Sequence, residues 1–349
     1  MCNFSPGQGC EMADHFVTRR NFMDKDHPQI RLKFLDGVKT LKNTPSGKST
    51  KDFGIPRLNG VDSPVSRYDV FVIWHYQTMN RLVPPNNGDQ RYAAHGSPLF
   101  LPWHRIMLLA FEYQLQVALG DAGFALPYWD WANDGSLPDP TASALWSNTP
   151  DYLGTGPGGG LYYDPSAPGQ YAVRLYQHPD GIFGQIPPRG VLRELGQHDE
   201  LPTPTKVDDA AKATEFDSPR YNGDSTGFRT NVEMNLHNHV HVWVGGVRGD
   251  MGPISSPNDP VFFLHHCNVD RIWEAWMQTN DRLYQPDMSA SERDYLGVRI
   301  DDVLPVSPGD IAIRRTLDMT RVYRYDSFVN TGSNPADPII GPPVGGILG

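Results

Sequence analysis

The chain is 349 residues long with 30 Lys and Arg against 40 Asp and Glu, a formal charge of −10 that repels phosphate backbones, so nucleic acid is not an expected partner. Hydrophobic residues make up 39%, enough for a globular core, while the richest apolar runs, VFVIW at 70–74 and IMLLAF at 106–111, fall far short of the ~20 residues that cross a bilayer. With 34 Gly and 32 Pro and no collagen-like repeat, the composition predicts long, irregular, ordered loops around a smaller regular core.

Residues 1–14 read as a loose leader. They carry neither a basic start nor an apolar stretch, so a soluble protein is expected, either cytoplasmic or secreted with its leader already removed. Cys2 and Cys10 either close a small disulfide loop or remain free thiols. Residues 40–64 are rich in Lys, Ser, Gly and Pro and read as an extended surface segment. Val70, Ile73, Trp74 and Met79 then recur at near-helical spacing, which predicts a helix over 65–82 that Pro84 and Pro85 end. RYAAHGSPLF is a loop. Pro102 suits a first helical turn, and the apolar run behind it predicts a second helix closed by Gly120. Residues 133–230 read mostly as loop. GTGPGGG at 154–160 is expected to be flexible and is no phosphate loop, since no Lys-Ser/Thr follows it. A third helix is predicted over 232–243, closed by Gly245 and Gly246. A fourth follows the capping sequence Asn258-Asp259-Pro260. Residues 327–349 form a Pro/Gly tail without periodicity. The expected fold is mainly α, a central four-helix bundle with long irregular loops and few short strands.

The informative side chains are the 12 histidines, three of which fall within 75–104 and five within 237–266. His237 and His241 share a helix face, with Cβ atoms ~5–6 Å apart, a spacing that suits two ligands on one metal. His75 lies mid-helix among aromatics, His104 in a first turn, and His95 in the loop feeding that turn. One of His265 and His266 can face a given site. Each histidine alone reads as a hydrogen-bonded core residue as well as a ligand. Six from four helices do not, because burying so many imidazoles is costly unless something satisfies them. The zincin H-E-x-x-H pattern is absent; all-imidazole sites suit copper or zinc, and two such sites with open positions favour copper, which heads the affinity series.

The segments HGSPLFLPWHR (95–105), LHNHVHVWVGG (236–246) and SPNDPVFFLHHCNVDRIW (256–273) resemble those of the tyrosinases, in the type-3 copper family with catechol oxidases and molluscan haemocyanins, and most closely the short bacterial enzymes. Thr18-Arg19-Arg20-Asn21 and Tyr323-Arg324-Tyr325 resemble the segments that open and close the family's catalytic domain, so the likeness spans 15–326. It implies two copper ions, the first bound by His75, His95 and His104, the second by His237, His241 and His266. The family uses the second histidine of the adjacent pair, which leaves His265 behind the ligands. Asp270 is expected to orient a ligand imidazole. Phe262 packs near the metals or is a plain core aromatic, and Asp259 is expected to cap its helix.

The implied chemistry is oxidation of phenols by O2: ortho-hydroxylation of monophenols and oxidation of o-diphenols to o-quinones. The alternatives are a catechol oxidase or o-aminophenol oxidase without monophenolase activity and, more distantly, an oxygen-carrying haemocyanin-like protein. A free phenol ionises near ~10, so hydroxylation needs a base. The family assigns this task to a water held by a Glu and by the Asn after the first ligand of the second copper. Here these are Glu233, whose alternative is a solvated surface residue, and Asn238. Met251, Pro253 and Ile254 in the 247–256 loop are expected to wall the substrate pocket. Some relatives tie the second ligand of the first copper to a Cys. Here Ala93 and Ala94 precede His95 and none of the three cysteines is local, so no thioether is expected. Cys267 reads as a buried structural thiol. Expected partners are small phenols and O2, with room for a helper protein that loads copper, and no membrane.

Overall fold

Helices that bury their apolar faces against one another leave four histidine-bearing segments side by side. The computed structural model describes residues 16–56, 60–85, 88–167, 169–178, 180–307 and 309–328. In chain order the elements are β1 (Val17–Arg19), α1 (Gln29–Asn43), β2 (Pro45–Ser49), β3 (Pro64–Ser66), α2 (Arg67–Met79), α3 (Phe100–Leu119), the one-turn α4 (Trp131–Asp134), β4 (Val173–Gln177), β5 (Phe183–Arg189), α5 (Pro204–Ala211), α6 (Phe228–Val232), a π-helical turn over Glu233–His237, α7 (Asn238–Gly245), α8 (Val261–Thr279), the one-turn α9 (Glu292–Tyr295) and β6 (Tyr323–Tyr325). The strands form three two-stranded ladders: β1 with β6 in parallel, β2 with β3 and β4 with β5 antiparallel. Among the described residues no helix is long and apolar enough to cross a membrane.

Local chemistry sets the helix ends. The Ser66 hydroxyl accepts from the Asp69 amide at 3.0 Å and opens α2. Gly120, at φ +63°, closes α3 in the left-handed conformation a glycine adopts without strain. The core between the helices is aromatic. Phe111 of α3 stacks on Phe263 of α8 at 3.5 Å, and Phe71 of α2 meets Phe111 edge-on at 5.1 Å.

Three expectations shift. Helix α1 fills a stretch for which no helix is expected and occupies the start of the supposed surface segment at 40–64. It buries Phe34, Leu35, Val38 and Leu41, and its buried Lys42 pairs with Asp69 of α2. The predicted third helix starts earlier, at Phe228, and widens into the π turn. The glycine-rich 154–160 segment is held rather than loose. Asn148 Oδ1 accepts from the amides of Thr155 and Gly156, and a Cβ on Gly154 would come within 2.5 Å of the Gly159 Cα.

The paired strands β1 and β6 are locked behind the bundle. Arg19 of β1 is fully buried. It donates to Glu112 at 3.0 Å, to Asp270 at 3.2 Å and to the Tyr325 hydroxyl at 3.2 Å, and lies 3.7 Å over the Tyr323 ring. Asp270 is therefore not the imidazole-orienting group expected. Its oxygens accept from Arg19, from Arg105 Nε at 2.6 Å and from the hydroxyls of Tyr323 and Tyr325, each at 2.6 Å. It lies one turn past His266 on the same side of α8, and these cations and hydroxyls take up its oxygens. Cys267 is buried beside the same cluster, with Sγ 3.5 Å from the Leu126 carbonyl, and burial pushes its thiol up to about 12. Cys2, Cys10, the rest of the leader and the tail beyond residue 328 lie outside the described residues.

Candidate metal centre

Two clusters of imidazoles face each other across the bundle. In the first, His75 comes from the middle of α2, His104 from the first turns of α3 and His95 from the loop before α3. In the second, His237 ends the π turn, His241 lies one turn further on α7, and His265 and His266 come from α8. Within each cluster the ligating atoms lie within 4.8 Å of one another. The clusters also touch. The His104 and His266 rings stack 4.1 Å apart, and His95 and His237 are 5.5 Å apart.

Four of the rings are aimed by the nitrogen turned away from the centre. His75 Nδ1 donates to the Ile254 carbonyl, His241 Nδ1 to the Met251 carbonyl and His104 Nδ1 to the Phe100 carbonyl, at 2.7, 2.7 and 2.8 Å. His237 Nδ1 lies 2.9 Å from Asn238 Oδ1. The Nε2 atoms of His75, His95, His104 and His237 are buried with no hydrogen-bond partner. A buried polar atom without a partner is costly, and four converging ones form a donor set awaiting an acceptor. Burial, and after it the neighbouring imidazoles, holds His75, His104, His237, His265 and His266 well below the ordinary histidine range. Burial brings His241 down to about 4. These six rings are thus neutral near pH 7, the form that ligates, and two all-nitrogen clusters suit copper.

The other expected residues fall as follows. The Phe262 ring is fully buried among His75, His241 and His266, at 5.1, 5.9 and 4.1 Å. Asp259 accepts from the Val261 amide at the start of α8 and takes a two-pronged ion pair from Arg193 at 2.6 and 2.7 Å. Glu233 is not a solvated residue, being 2% exposed. One oxygen accepts from the Gly96 amide at 2.7 Å and lies 3.4 Å from His95 Nδ1, and the other takes Arg229 at 3.0 Å. Asn238 is part-exposed beside His237. Met251 differs from expectation: its side chain is sealed in the core, and it serves the site through its carbonyl. Pro253 and Ile254 are half-buried.

Two residues with a part in the site carried no signal read from the sequence. Phe100 packs its ring against His95, His104 and His237 at 5.4, 5.1 and 4.8 Å. Its position one turn before His104 could have flagged it. Arg229 is visible only as a charge four residues before Glu233, a spacing that pairs side chains on a helix.

Comparison with known proteins agrees with this arrangement. A model of the common central domain of tyrosinase matches residues 65–279. The chain belongs to the tyrosinase family. Among its relatives, the tyrosinase of Streptomyces lincolnensis is 37% identical over 274 residues, covering 76% of this chain and 92% of that one. The tyrosinase of Streptomyces antibioticus is 42% identical over 219 residues, covering 61% and 73%. Grixazone synthase of Streptomyces griseus is 32% identical over 298 residues, covering 74% and 90%. The solved structure of a mutant polyphenol oxidase from Thermothelomyces thermophila superposes with a TM-score of 0.60 at 24% identity, over 90% of this chain and 89% of that one, a likeness of fold. As a bacterial-type member of the tyrosinase family, the chain is an enzyme that oxidises phenols with O2 at a pair of copper ions.

Proposed function

We propose that the enzyme both hydroxylates monophenols ortho to their hydroxyl and oxidises o-diphenols to o-quinones, with His75, His95 and His104 binding one copper and His237, His241 and His266 the other. The copper pair, when bound, supplies O2 activation and accepts the electrons of the substrate. His266 is favoured over His265 by its position. Its ring reaches both clusters, and its Nε2 is 3.5 Å from His241 Nε2, the separation of two nitrogens that each stand ~2 Å from one ion. His265 touches His237 and His241 but makes no ring contact with the first cluster.

The observation that carries the monophenolase reading is the buried, ionised carboxylate of Glu233 beside these rings. Burial alone would raise its pKa. The hydrogen bond with His95 and the charge of Arg229 outweigh that and hold it below the ordinary carboxylate range. It is therefore an acceptor at neutral pH, where a phenol still holds its proton. The π turn over Glu233–His237 closes with a hydrogen bond from the Asn238 amide to the Glu233 carbonyl, so both residues belong to one stretch of the helix. A water held between them takes the phenol proton. Pro253 and Ile254, on the loop that lends its carbonyl to His75, wall the pocket for a small phenol.

The test uses the purified copper-loaded enzyme with a monophenol, a catechol and an o-aminophenol, with rates counted per bound copper. Turnover of the monophenol is expected. Glu233→Gln and Asn238→Ala are each expected to lower it by ~10²-fold, more than they lower catechol turnover. Equal losses on both substrates refute the assignment of these residues. A wild-type enzyme that accepts only the catechol or the o-aminophenol is a catechol oxidase or an o-aminophenol oxidase instead.

A further inference from the structure

His95 is the one proposed ligand that no helix carries. It sits in the turn between Tyr92 and Leu99, and its side chain is 17% exposed. The other five proposed ligands take their bearings from helical backbone. His95 needs an external device, and the hydrogen bonds around it describe one. Glu233 Oε1 accepts from the Gly96 amide at 2.7 Å and lies 3.4 Å from His95 Nδ1. Glu233 Oε2 accepts from Arg229 Nη1 at 3.0 Å. Arg229 Nε and Nη2 donate to the two oxygens of Asp217 at 2.8 and 3.0 Å, and Nη2 also donates to the Asn222 carbonyl at 2.7 Å. Asn222 in turn donates to the carbonyl of Asp89 at 3.1 Å, on the loop that leads to His95. Arg229 and Asp217 are fully buried and paired with each other.

We propose that Arg229, pinned by Asp217, is a positioning residue that acts through Glu233 to hold His95 in its ligating orientation, and so governs retention of the first copper. The inference rests on the copper-site reading above. A planar guanidinium with three nitrogens committed on fixed lines can turn in only one way, so it fixes the carboxylate it faces. That carboxylate sets which His95 nitrogen carries the proton and which is left for the metal. Outer partners of this kind change metal affinity by ~10–100-fold when removed. An ordinary buried ion pair would stabilise the fold without distinguishing one metal position from the other.

The experiment follows copper release from the loaded enzyme into excess chelator, with folding checked by circular dichroism. In Arg229→Met, one of the two coppers is expected to leave at least ~10-fold faster while the other keeps its wild-type rate. Arg229→Lys, which keeps the charge without the fork, is expected to fall between. Arg314→Met, which breaks an exposed ion pair with Asp301, should leave both rates unchanged. If Arg229→Met does not fold, Asp217→Asn serves in its place, with the same one-copper effect expected. Unchanged release, or equal acceleration of both coppers, overturns the proposal. A wild-type protein that binds fewer than two coppers overturns the copper-site reading itself, a result visible before any variant is made.

Discussion

A buried imidazole without a metal must stay neutral, and this makes the metal-free site sensitive to acid. His241 titrates near 4 in the folded chain against about 6.5 when exposed, and His75, His104, His237, His265 and His266 shift in the same direction, all with burial as the first cause. The unfolded chain therefore binds more protons than the folded one between these values. Stability from these groups is complete above about pH 6.5 and is lost as the pH falls toward 4. The Tm of the copper-free protein, followed by circular dichroism, is expected to be level near neutrality and to drop steadily through this window. A level Tm down to pH 4 would mean that water reaches the rings. The histidines themselves were legible from their clustering and their helical spacing. The carbonyls of Ile254, Met251 and Phe100 that orient them were not, because a carbonyl leaves no mark in the side-chain pattern.

Elements meet here through charges as well as through rings. Arg105 follows His104 directly and Asp270 lies one turn past His266, so their 2.6 Å contact ties α3 to α8 beside the centre. The same carboxylate holds Arg19 of β1 and the tyrosines of β6. Asp270→Ala would leave two buried guanidiniums short of an acceptor, and a loss of roughly 3–5 kcal/mol is expected in urea unfolding. A loss under about 1 kcal/mol would show that the arginines find other partners. The helices α2, α3 and α8 follow from apolar periodicity, capping and a closing glycine, with ends displaced by a few residues. Helix α1 had a readable stripe in Phe34, Leu35, Val38 and Leu41, but the Lys- and Ser-rich stretch after it drew the boundary too early. The π turn at Glu233 could not be read, since its extra residue per turn breaks the 3.6 period on which helix prediction depends.

Across the bundle as a unit, the coppers act as cross-braces. One is expected to join α2, α3 and the loop between them, the other α7 and α8, so metal binding is linked to folding. A ligand present at ~1,000 times its Kd adds about 4 kcal/mol to the folded state. Stripping the metal should therefore lower Tm by several degrees, on the order of 5–10 °C for a chain of this size, and adding copper back should restore it. An unchanged Tm would mean that the clusters do not share ions between helices.

Residue types and their near spacing were enough to name an all-imidazole copper chemistry and a helical frame, because a helix sets the geometry of positions three and four apart without outside help. Contacts between distant parts of the chain were settled only on folding: Glu233 against Gly96, Asp270 against Arg19, His75 against the carbonyl of Ile254. Their partners lie 137, 251 and 179 positions apart. Periodicity reports which face of an element is buried and says nothing about which remote group it is buried against. That choice belongs to packing, which buried Glu233 against the Gly96 amide and made a supposed imidazole partner the clasp of β1 and β6.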